Sequence, residues 1–498
     1  MIELIGSGLL HVLEPANLVA IVCGVLIGMA VGVIPGLSGG TTMTILLPLV
    51  LLAPPDTAVL FLISIWGAAV YAGSISAICL NIPGTAAAAA TTLDGFALAK
   101  SGRARLALRA SIIGSTIGGM ASALALLFLS PLLARLALSF GPAEMFAFAL
   151  FGMATVASLS SGSLLKGAIA TFIGLAIATV GIAPTGQTRL VLQPGLVTGV
   201  PLIPLLIGLF TIPAAIEMMR KGDASIAIDL KTLGGKESFL AKASDWAKHG
   251  FNFLRSGLIG VVIGVLPGAG PTIASFIAYG EAKRAAKPAE RQSFGKGNID
   301  GVIAPETANN AAVFSSLVPA LALGIPGSVD AVIVMAALTS HGLVPGPLLI
   351  ERSADVAYTV FIGAFVANVV MLVLGLYLAR YIANITRVRQ SFLGPGILVL
   401  ALLGAFSVHN DVFEVLLTLV VGVGAWFLRK LGVPMAPIIL GAILGPMLET
   451  YLVQALVLYG GAVGAITTRP VAAVLGLLAI LSIVVPPVRR MLARRRAA

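Results

Sequence analysis

The feature that most constrains this chain is a succession of long apolar runs without a charged side chain. The run between Arg109 and Arg135 is an example. It is longer than the roughly 20 apolar residues that a helix needs to cross a bilayer. Only 10% of the chain is charged, whereas a soluble domain carries about 25%. The sequence therefore excludes a soluble globular protein and predicts an all-α integral membrane protein with roughly 12 spans or half-spans.

The net charge of +11 does not indicate nucleic-acid binding, because no basic face with interleaved aromatic residues is present. The basic residues lie in short loops between the apolar runs, which is typical of the cytoplasmic loops of membrane proteins. The four histidines lack the spacing of metal ligands. The chain carries no nucleotide-binding loop, nucleophile elbow or zinc-protease motif. We therefore expect neither an enzyme nor a bound cofactor or resident metal.

A short motif occurs twice, as Gly32–Gly36 (Gly-Val-Ile-Pro-Gly) and as Gly264–Gly268 (Gly-Val-Leu-Pro-Gly). Each copy ends a run in which glycines recur at every fourth position. This spacing puts the glycines on one helix face, where another helix can approach closely. The Pro-Gly pair then removes a backbone donor and permits a turn. Inside a membrane, such a broken helix exposes backbone groups to a solute.

A second motif also occurs twice, as Asn81–Thr85 (Asn-Ile-Pro-Gly-Thr) and as Gly324–Ser328 (Gly-Ile-Pro-Gly-Ser). The two motifs follow one another in the same order in both halves of the chain. The second half is longer in the polar loop Lys283–Asp300. Two motifs that recur in order predict an internal duplication.

The duplication and a polar segment in the middle of the chain predict five regions. A charged stretch rich in lysine separates the two copies and has the composition of an amphipathic helix on the membrane surface. The regions are an N-terminal segment (1–16), a first repeat (17–218), a cytoplasmic amphipathic linker (219–254), a second repeat (255–453), and a terminal span with a basic C-terminal tail (454–498).

Corresponding loops of the two repeats differ in charge. The loop at 100–109 carries four basic residues, whereas its counterpart at 341–355 carries only Arg352. The loop at Asp56 carries none, whereas its counterpart at 283–296 carries five. Because basic loops remain in the cytoplasm, the two repeats are predicted to have inverted orientations, with the linker and the C-terminus cytoplasmic.

Inverted repeats with broken helices are the architecture of secondary transporters, whose solute site lies near the membrane midplane where the repeats meet. Helix N-termini attract anions, and hydroxyl and free amide groups suit a carboxylate. We therefore predict a substrate site at the breaks. The predicted substrate-binding residues are Pro35, Gly36, Ser38, Gly39, Gly40, Thr41, Thr42, Asn81, Pro83, Gly84, Thr85, Pro267, Gly268, Gly270, Thr272, Pro326, Gly327 and Ser328.

The most polar patch at the entrance to an apolar run is Pro305–Asn310 (Pro-Glu-Thr-Ala-Asn-Asn). A glutamate inside a membrane is costly unless it has a function. We predict that Glu306, Asn309, Asn310 and Asp94 serve a coupling cation, either Na⁺ or H⁺. A helix-end cluster in the headgroup region is the alternative for the patch, and a helix cap is the alternative for Asp94. The role of Asp330, which has no acidic counterpart in the first repeat, stays open.

These motifs resemble those of the large membrane subunit of the tripartite tricarboxylate transporter family (TctA-like). The segments that carry the resemblance are Gly32–Gly40, Asn81–Thr85 with Leu93–Gly95, Gly264–Gly270, Phe294–Gly297, Ala304–Asn310 and Leu323–Ser328. The resemblance extends over nearly the whole chain. In this family a small neutral residue is expected at the position of Asp330, which leaves a changed substrate open.

The resemblance implies cation-coupled uptake (symport) of a small di- or tricarboxylate across the bacterial inner membrane by alternating access. It also implies two partners, a small membrane subunit (TctB-like) and a periplasmic solute-binding protein (TctC-like). Two alternatives remain open. A passive anion channel would transport without ion coupling, and a membrane-embedded enzyme would need a catalytic pair that the sequence does not reveal.

Overall fold

The computed structural model describes residues 2–159, 163–221, 243–382, 390–461, 464 and 468–497. Within these ranges the chain is helical apart from turns and one small antiparallel hairpin, in which β1 (Gly181–Ile182) pairs with β2 (Thr188–Arg189). Most of the predicted linker, residues 222–242, lies outside the described residues.

The helices of the first half form one series up to residue 221. They are α1 (Ile2–Val12), α2 (Pro15–Gly32), α3 (Gly39–Val50), α4 (Pro55–Leu80), α5 (Thr92–Leu98), α6 (Ala104–Leu138), α7 (Pro142–Leu159), α8 (Leu164–Ala178), α9 (Leu202–Leu206) and α10 (Ile212–Lys221). Short turns of tighter or wider helix lie at Ala86–Ala88, Ala99–Arg103, Pro194–Leu196 and Ile207–Thr211.

The helices of the second half begin at residue 243. They are α11 (Ala243–Ala247), α12 (Gly250–Val265), α13 (Gly270–Ala285), α14 (Pro288–Arg291), α15 (Asp300–Ser315), α16 (Leu317–Leu323), α17 (Val329–Ser340), α18 (Pro347–Arg352), α19 (Ala354–Ile382), α20 (Gln390–His409), α21 (Val412–Lys430), α22 (Met435–Leu458) and α23 (Pro470–Ala497).

Eight helical segments in the described part of the chain are long and apolar enough to cross a membrane. Seven shorter apolar helices accompany them, among them α3, α12 and α17. Helices as short as α3 and α17 do not span the hydrocarbon core alone. The all-α membrane class is therefore confirmed, whereas the number of about twelve spans stays a prediction.

The glycine faces predicted from the sequence lie against the next long helix of the same half. Gly28 and Gly32 of α2 touch the backbone of α4, where an added Cβ atom would overlap the carbonyl oxygens of Ile65 and Ala69. Gly260 and Gly264 of α12 meet Ala308 and Ala312 of α15 in the same way. Close backbone approach is how membrane helices gain packing energy, since the lipid provides no hydrophobic driving force.

The breaks have the same local structure in both halves. The Gly84 amide donates to the Gly73 carbonyl, and the Gly327 amide donates to the Ser316 carbonyl, at 3.1 Å in each case. Each of these glycines also sits against the glycine that precedes the first break, so that a Cβ on Gly84 would overlap the Gly32 carbonyl. The two breaks of one half are therefore packed against each other, and this packing requires glycine.

Equivalent helices of the two halves run in opposite directions where they meet. Along α4 and α15, the Trp66 ring meets the Phe314 ring at 6.5 Å, while Ser74, further along α4, lies beside Glu306, near the start of α15. Along α6 and α19, Ile112 adjoins Gly375 and Gly119 adjoins Asn368. Both helix pairs are therefore antiparallel.

Candidate substrate and coupling-ion site

The breaks of one half meet the breaks of the other. Helix α3, which follows the first Pro-Gly turn, packs against α17, which follows the last break. Helix α13, which follows the Pro-Gly turn of the second half, packs against the turn Ala86–Ala88 that follows Thr85. The four predicted segments thus form two contacts between the halves. Each contact joins a helix that follows a Pro-Gly turn, here called a tip helix, to the segment that follows the second break of the other half.

The first tip consists of the turn at Pro35–Gly36 and the start of α3. It contains more backbone amide groups than hydroxyl groups without a partner among the described residues. Ser38 caps α3, because its Oγ accepts a hydrogen bond from the Thr41 amide at 3.1 Å. The Thr42 hydroxyl donates to the Ser38 carbonyl at 3.1 Å. The first intrahelical bond begins at Thr42, so the N–H groups of Gly39 and Gly40 precede the helical ladder. Pro35 and Gly36 form the turn before them, where Gly36 has a φ of 97°.

The second tip consists of the turn at Pro267–Gly268 and the start of α13. It is hydrogen-bonded to the last break, Gly324–Ser328. The Gly268 amide donates to the Gly327 carbonyl at 2.8 Å, which joins the segments that contain Pro267 and Pro326. Gly268 and Gly270 have positive φ values of 78° and 63°, a region that favours glycine. Thr272 lies in the first turn of α13 and is half-buried.

The polar side chains that follow Pro83 and Pro326 differ in their hydrogen bonds. Ser328 caps α17 by accepting from the Ala331 amide at 3.2 Å, and its hydroxyl also contacts the Ser316 hydroxyl at 3.0 Å. The Thr85 hydroxyl is buried and has no hydrogen-bond partner among the described residues. Asn81 ends α4 in the left-handed region with a φ of 59°, and its side chain is exposed.

Glu306 lies in the interior of the protein, within α15. Its side chain is fully buried. One carboxylate oxygen accepts from the Thr91 hydroxyl, and the other accepts from Ser111 at 3.2 Å and Ser115 at 3.0 Å. These donors are neutral, and no basic side chain contacts the carboxylate within the described ranges. A buried carboxylate without a basic partner is a place where a proton or a hard cation can bind.

Amide groups complete this cluster. The Asn309 side-chain nitrogen lies 3.3 Å from Glu306 Oε1 and 3.4 Å from the Ala87 carbonyl. The Asn310 amide donates to Asn309 Oδ1 at 2.8 Å. Glu306, Asn309 and Asn310 are therefore together, next to the turn that follows Thr85. Groups of three or more histidine, cysteine or acidic side chains that could hold a metal ion are absent from the described part of the chain. The groups around Glu306 are mainly hydroxyls and amides.

Asp94 forms a separate cluster. Its Oδ1 accepts from the amides of Gly295, Gly297 and Asn298 at 2.9, 2.8 and 2.7 Å. Its Oδ2 accepts from the Tyr279 hydroxyl at 2.9 Å. These bonds join the Leu93–Gly95 segment to the loop after α13, and they engage both oxygens of the carboxylate. A role of Asp94 in ion coupling stays a prediction that competes with this structural role.

Several polar residues of this region were not predicted from the sequence. Thr91, Ser74, Ser111 and Ser115 surround Glu306 but lie in the first half of the chain. Ser111 and Ser115 are four residues apart on α6, a spacing that places both on one helix face. This spacing is a signal that a search for paired hydroxyls in apolar runs would find.

The apolar helices and their converging breaks define a multi-pass membrane protein of the transporter type. A family model narrows this class. The model of the tripartite tricarboxylate transporter TctA family matches residues 18–440. The chain belongs to this family, and it is therefore a tricarboxylate transporter membrane subunit.

Two relatives from Agrobacterium vitis are similar to this chain. "Uncharacterized 52.8 kDa protein in TAR-I ttuC' 3'region" is 33% identical over 497 residues, which are 98% of this chain and 98% of the relative. "Uncharacterized protein in TAR-II ttuC' 3'region" is 34% identical over 234 residues, which are 46% of this chain and 96% of the relative.

Proposed function

We propose that this chain imports a small organic carboxylate of the di- or tricarboxylate class by alternating access, in symport with Na⁺ or H⁺. The observation that carries the proposal is the meeting of α3 with α17 and of α13 with Ala86–Ala88. Secondary transporters hold their solute between the interrupted helices of two repeats. Here the interrupted segments of both halves converge in pairs.

Two inverted repeats are part of the proposal. Their orientation is supported by the antiparallel pairs α4 with α15 and α6 with α19, because the duplication makes the members of each pair equivalent. If equivalent helices cross the membrane in opposite directions, the halves are inverted. The opposite charges of corresponding loops support the same orientation.

The substrate carboxylates would bind at the N-termini of the tip helices. The amides of Gly39 and Gly40 precede the ladder of α3, and Gly270 opens α13. Helix N-termini combine free N–H groups with a partial positive charge, which together bind anions. A site of this kind recognises a carboxylate without a basic side chain.

The coupling cation would bind at Glu306. This residue belongs to the second half, whereas Thr91, Ser111 and Ser115 belong to the first. A cation or proton on Glu306 therefore changes bonds that join the two halves. Ion binding can shift the equilibrium between two conformations of the transporter only if the bound ion makes different contacts in each of them.

The remaining parts of the proposal follow from the family. A TctC-like periplasmic binding protein would deliver the substrate, and a TctB-like small membrane subunit would complete the transporter. The chain would lie in the inner membrane of a bacterium, with the linker and the C-terminus in the cytoplasm, as the positive-inside rule predicts.

Uptake of labelled di- and tricarboxylates into proteoliposomes tests the proposal. The chain is reconstituted with both partners, and Na⁺ and H⁺ gradients are imposed separately. We expect uptake against a substrate gradient with one of the two cation gradients, and none without the binding protein. Uptake that runs only down the substrate gradient and ignores both cations would contradict symport and favour the passive anion channel.

A further inference from the structure

Three segments that are far apart in the sequence bring basic side chains to one place at the end of α21. Arg220 lies in the last turn of α10, and Arg429 and Lys430 lie in the last turn of α21. Lys166, in the first turn of α8, donates to the Leu431 carbonyl at 2.7 Å. We call Lys166, Arg220, Arg429 and Lys430 the α21 basic cluster.

An aromatic ring holds two of these cations close together. The Lys430 ammonium lies 3.4 Å from the centroid of the Trp426 ring, and the central guanidinium carbon of Arg220 lies 5.5 Å from the same centroid. The face of an aromatic ring attracts cations, and the C-terminus of a helix attracts them as well. Because both attractions act here, two like charges are held within reach of one anionic group.

The α21 basic cluster carries more positive charge than the carboxylate beside it neutralises. Glu217 pairs with Arg220 at 3.5 Å, and it also interacts electrostatically with Arg429. The pair with Arg220 is exposed, and exposed pairs contribute little. Within the described ranges, no carboxylate forms an ion pair with Lys166, Arg429 or Lys430. The cluster therefore keeps a net positive charge that an anion can neutralise.

An exposed apolar stripe leads along α21 to the cluster. It consists of Leu416, Val420, Val423 and Phe427, which are 58%, 63%, 44% and 54% exposed. Their spacing of four, three and four residues places them on one face of the helix, and the same spacing continues to Lys430. Helix α21 is also one of the two most exposed spans in the described part of the chain. A ligand that fits both the stripe and the cluster has an anionic head and a long apolar chain.

We propose that the α21 basic cluster binds the phosphate of an anionic phospholipid, and that an acyl chain of this lipid lies along the stripe. Basic pockets between membrane helices recognise lipid headgroups in this way. Arg220 belongs to the linker that the sequence predicts to be cytoplasmic, so the lipid would come from the cytoplasmic leaflet. The assignment depends on the membrane class of the protein and not on the transport function proposed above.

Native mass spectrometry of the purified full-length chain tests this assignment. The chain is released from micelles that contain equal amounts of phosphatidylglycerol and phosphatidylcholine with the same acyl chains, so that the two lipids differ only in the headgroup. A basic side chain beside an anionic headgroup strengthens binding about fivefold, so wild type should prefer phosphatidylglycerol roughly tenfold or more. The double variant Arg220→Gln with Lys430→Gln should lose most of this preference.

Control variants separate headgroup recognition from net charge and from folding. Lys283→Gln with Arg284→Gln removes the same charge from the last turn of α13, where Arg284 also pairs with a glutamate three residues earlier. This control should keep the preference of wild type. Lys430→Arg keeps the charge of the cluster and should keep the preference as well. Melting temperatures of all variants in phosphatidylcholine alone show whether each variant is folded.

Several outcomes would overturn the assignment. Equal retention of the two lipids by wild type would exclude headgroup recognition, and an equal loss of preference in the α13 control would reduce the effect to net charge. If soluble glycerol phosphate competes as well as phosphatidylglycerol does, the cluster binds a free phosphate group and the stripe has no part in it. If the double variant keeps phosphatidylglycerol but no longer co-purifies with the small membrane subunit, the cluster is an interface with that partner.

Discussion

Asp94 allows a sharp test, because its structural role and its predicted role in ion coupling lead to different outcomes. Its carboxylate accepts three backbone N–H groups from Gly295, Gly297 and Asn298, and one hydroxyl from Tyr279. The loop that it holds connects α13 to the start of α15. If these bonds stabilise the fold, removing the carboxylate should release the loop.

The size of the effect follows from the bonds. A hydrogen bond to a charged group contributes about 1.5–3 kcal/mol. Because the loop is partly exposed, water replaces part of the lost bonding, and the lower end applies. Asp94→Ala removes all four bonds and then costs about 6 kcal/mol. Asp94→Asn keeps an acceptor but loses the charge, which roughly halves each bond, so it costs about 3 kcal/mol. Tyr279→Phe removes one bond and costs about 1.5 kcal/mol.

Two measurements report the loss. Thermal unfolding of the purified variants should rank Asp94→Ala below Asp94→Asn, with Tyr279→Phe nearest to wild type. Limited trypsin digestion should cleave faster at Lys296, which lies within the held loop and is exposed. Glu281→Gln is the matched control. Its ion pair with Arg284 is exposed on α13, the helix that also carries Tyr279, and exposed ion pairs contribute little to stability.

A different pattern would refute the structural role. If Asp94→Asn keeps the melting temperature and the cleavage rate of wild type but shifts the cation concentration for half-maximal uptake, the carboxylate serves the coupling ion. If Asp94→Ala melts like wild type, the four bonds contribute no net stability and the estimate is wrong.

Three further predictions concern the site and the breaks. Glu306→Gln should lower cation-dependent uptake in proteoliposomes at least tenfold, because it removes the only charge from a cluster of neutral donors, and unchanged cation dependence would exclude this carboxylate. Asn310→Ala should lower the same cation-dependent uptake while the protein still inserts into the membrane, and an unaltered dependence would remove Asn310 from the ion site. Gly84→Ala should lower the melting temperature and abolish uptake, because its Cβ would overlap the Gly32 carbonyl. Gly6→Ala, which has open space around it, is the control for a glycine-to-alanine change, and equal melting temperatures for both variants would contradict the packing argument.

The sequence was most informative where local chemistry decides the structure. Pro-Gly pairs interrupt helices in any surroundings, so the ends of α2 and α4 lie where the motifs predict them. Glycines at every fourth position have little purpose other than close packing, and they pack against α4 and α15. The charge of Glu306 within an apolar run predicted a buried functional group, and the side chain is fully buried.

The sequence was least informative about contacts between the halves. Nothing in the neighbourhood of Glu306 indicates that Thr91, Ser111 and Ser115 would surround it, since these residues are far away along the chain. In a membrane, hydrophobicity does not determine which helices pack together, because lipid tails are as apolar as leucine side chains. The choice depends on shape and on buried polar groups, which a periodic pattern does not encode.

The packing also determines which helices can move as one body in a transport cycle. Gly114 and Gly118 of α6 lie against Thr307 of α15, and a Cβ on Gly118 would overlap its carbonyl. Asp94, just before α6, holds the loop that leads into α15. Helix α6 is thus bound to the second half, although it belongs to the first half of the chain. A movement that separated α6 from α15 would break backbone-close packing and charge-assisted bonds together. The boundary between moving parts therefore does not follow the midpoint of the chain. Because Glu306 of α15 accepts hydrogen bonds from Ser111 and Ser115 of α6, a cation or proton on Glu306 would change the strength of this contact.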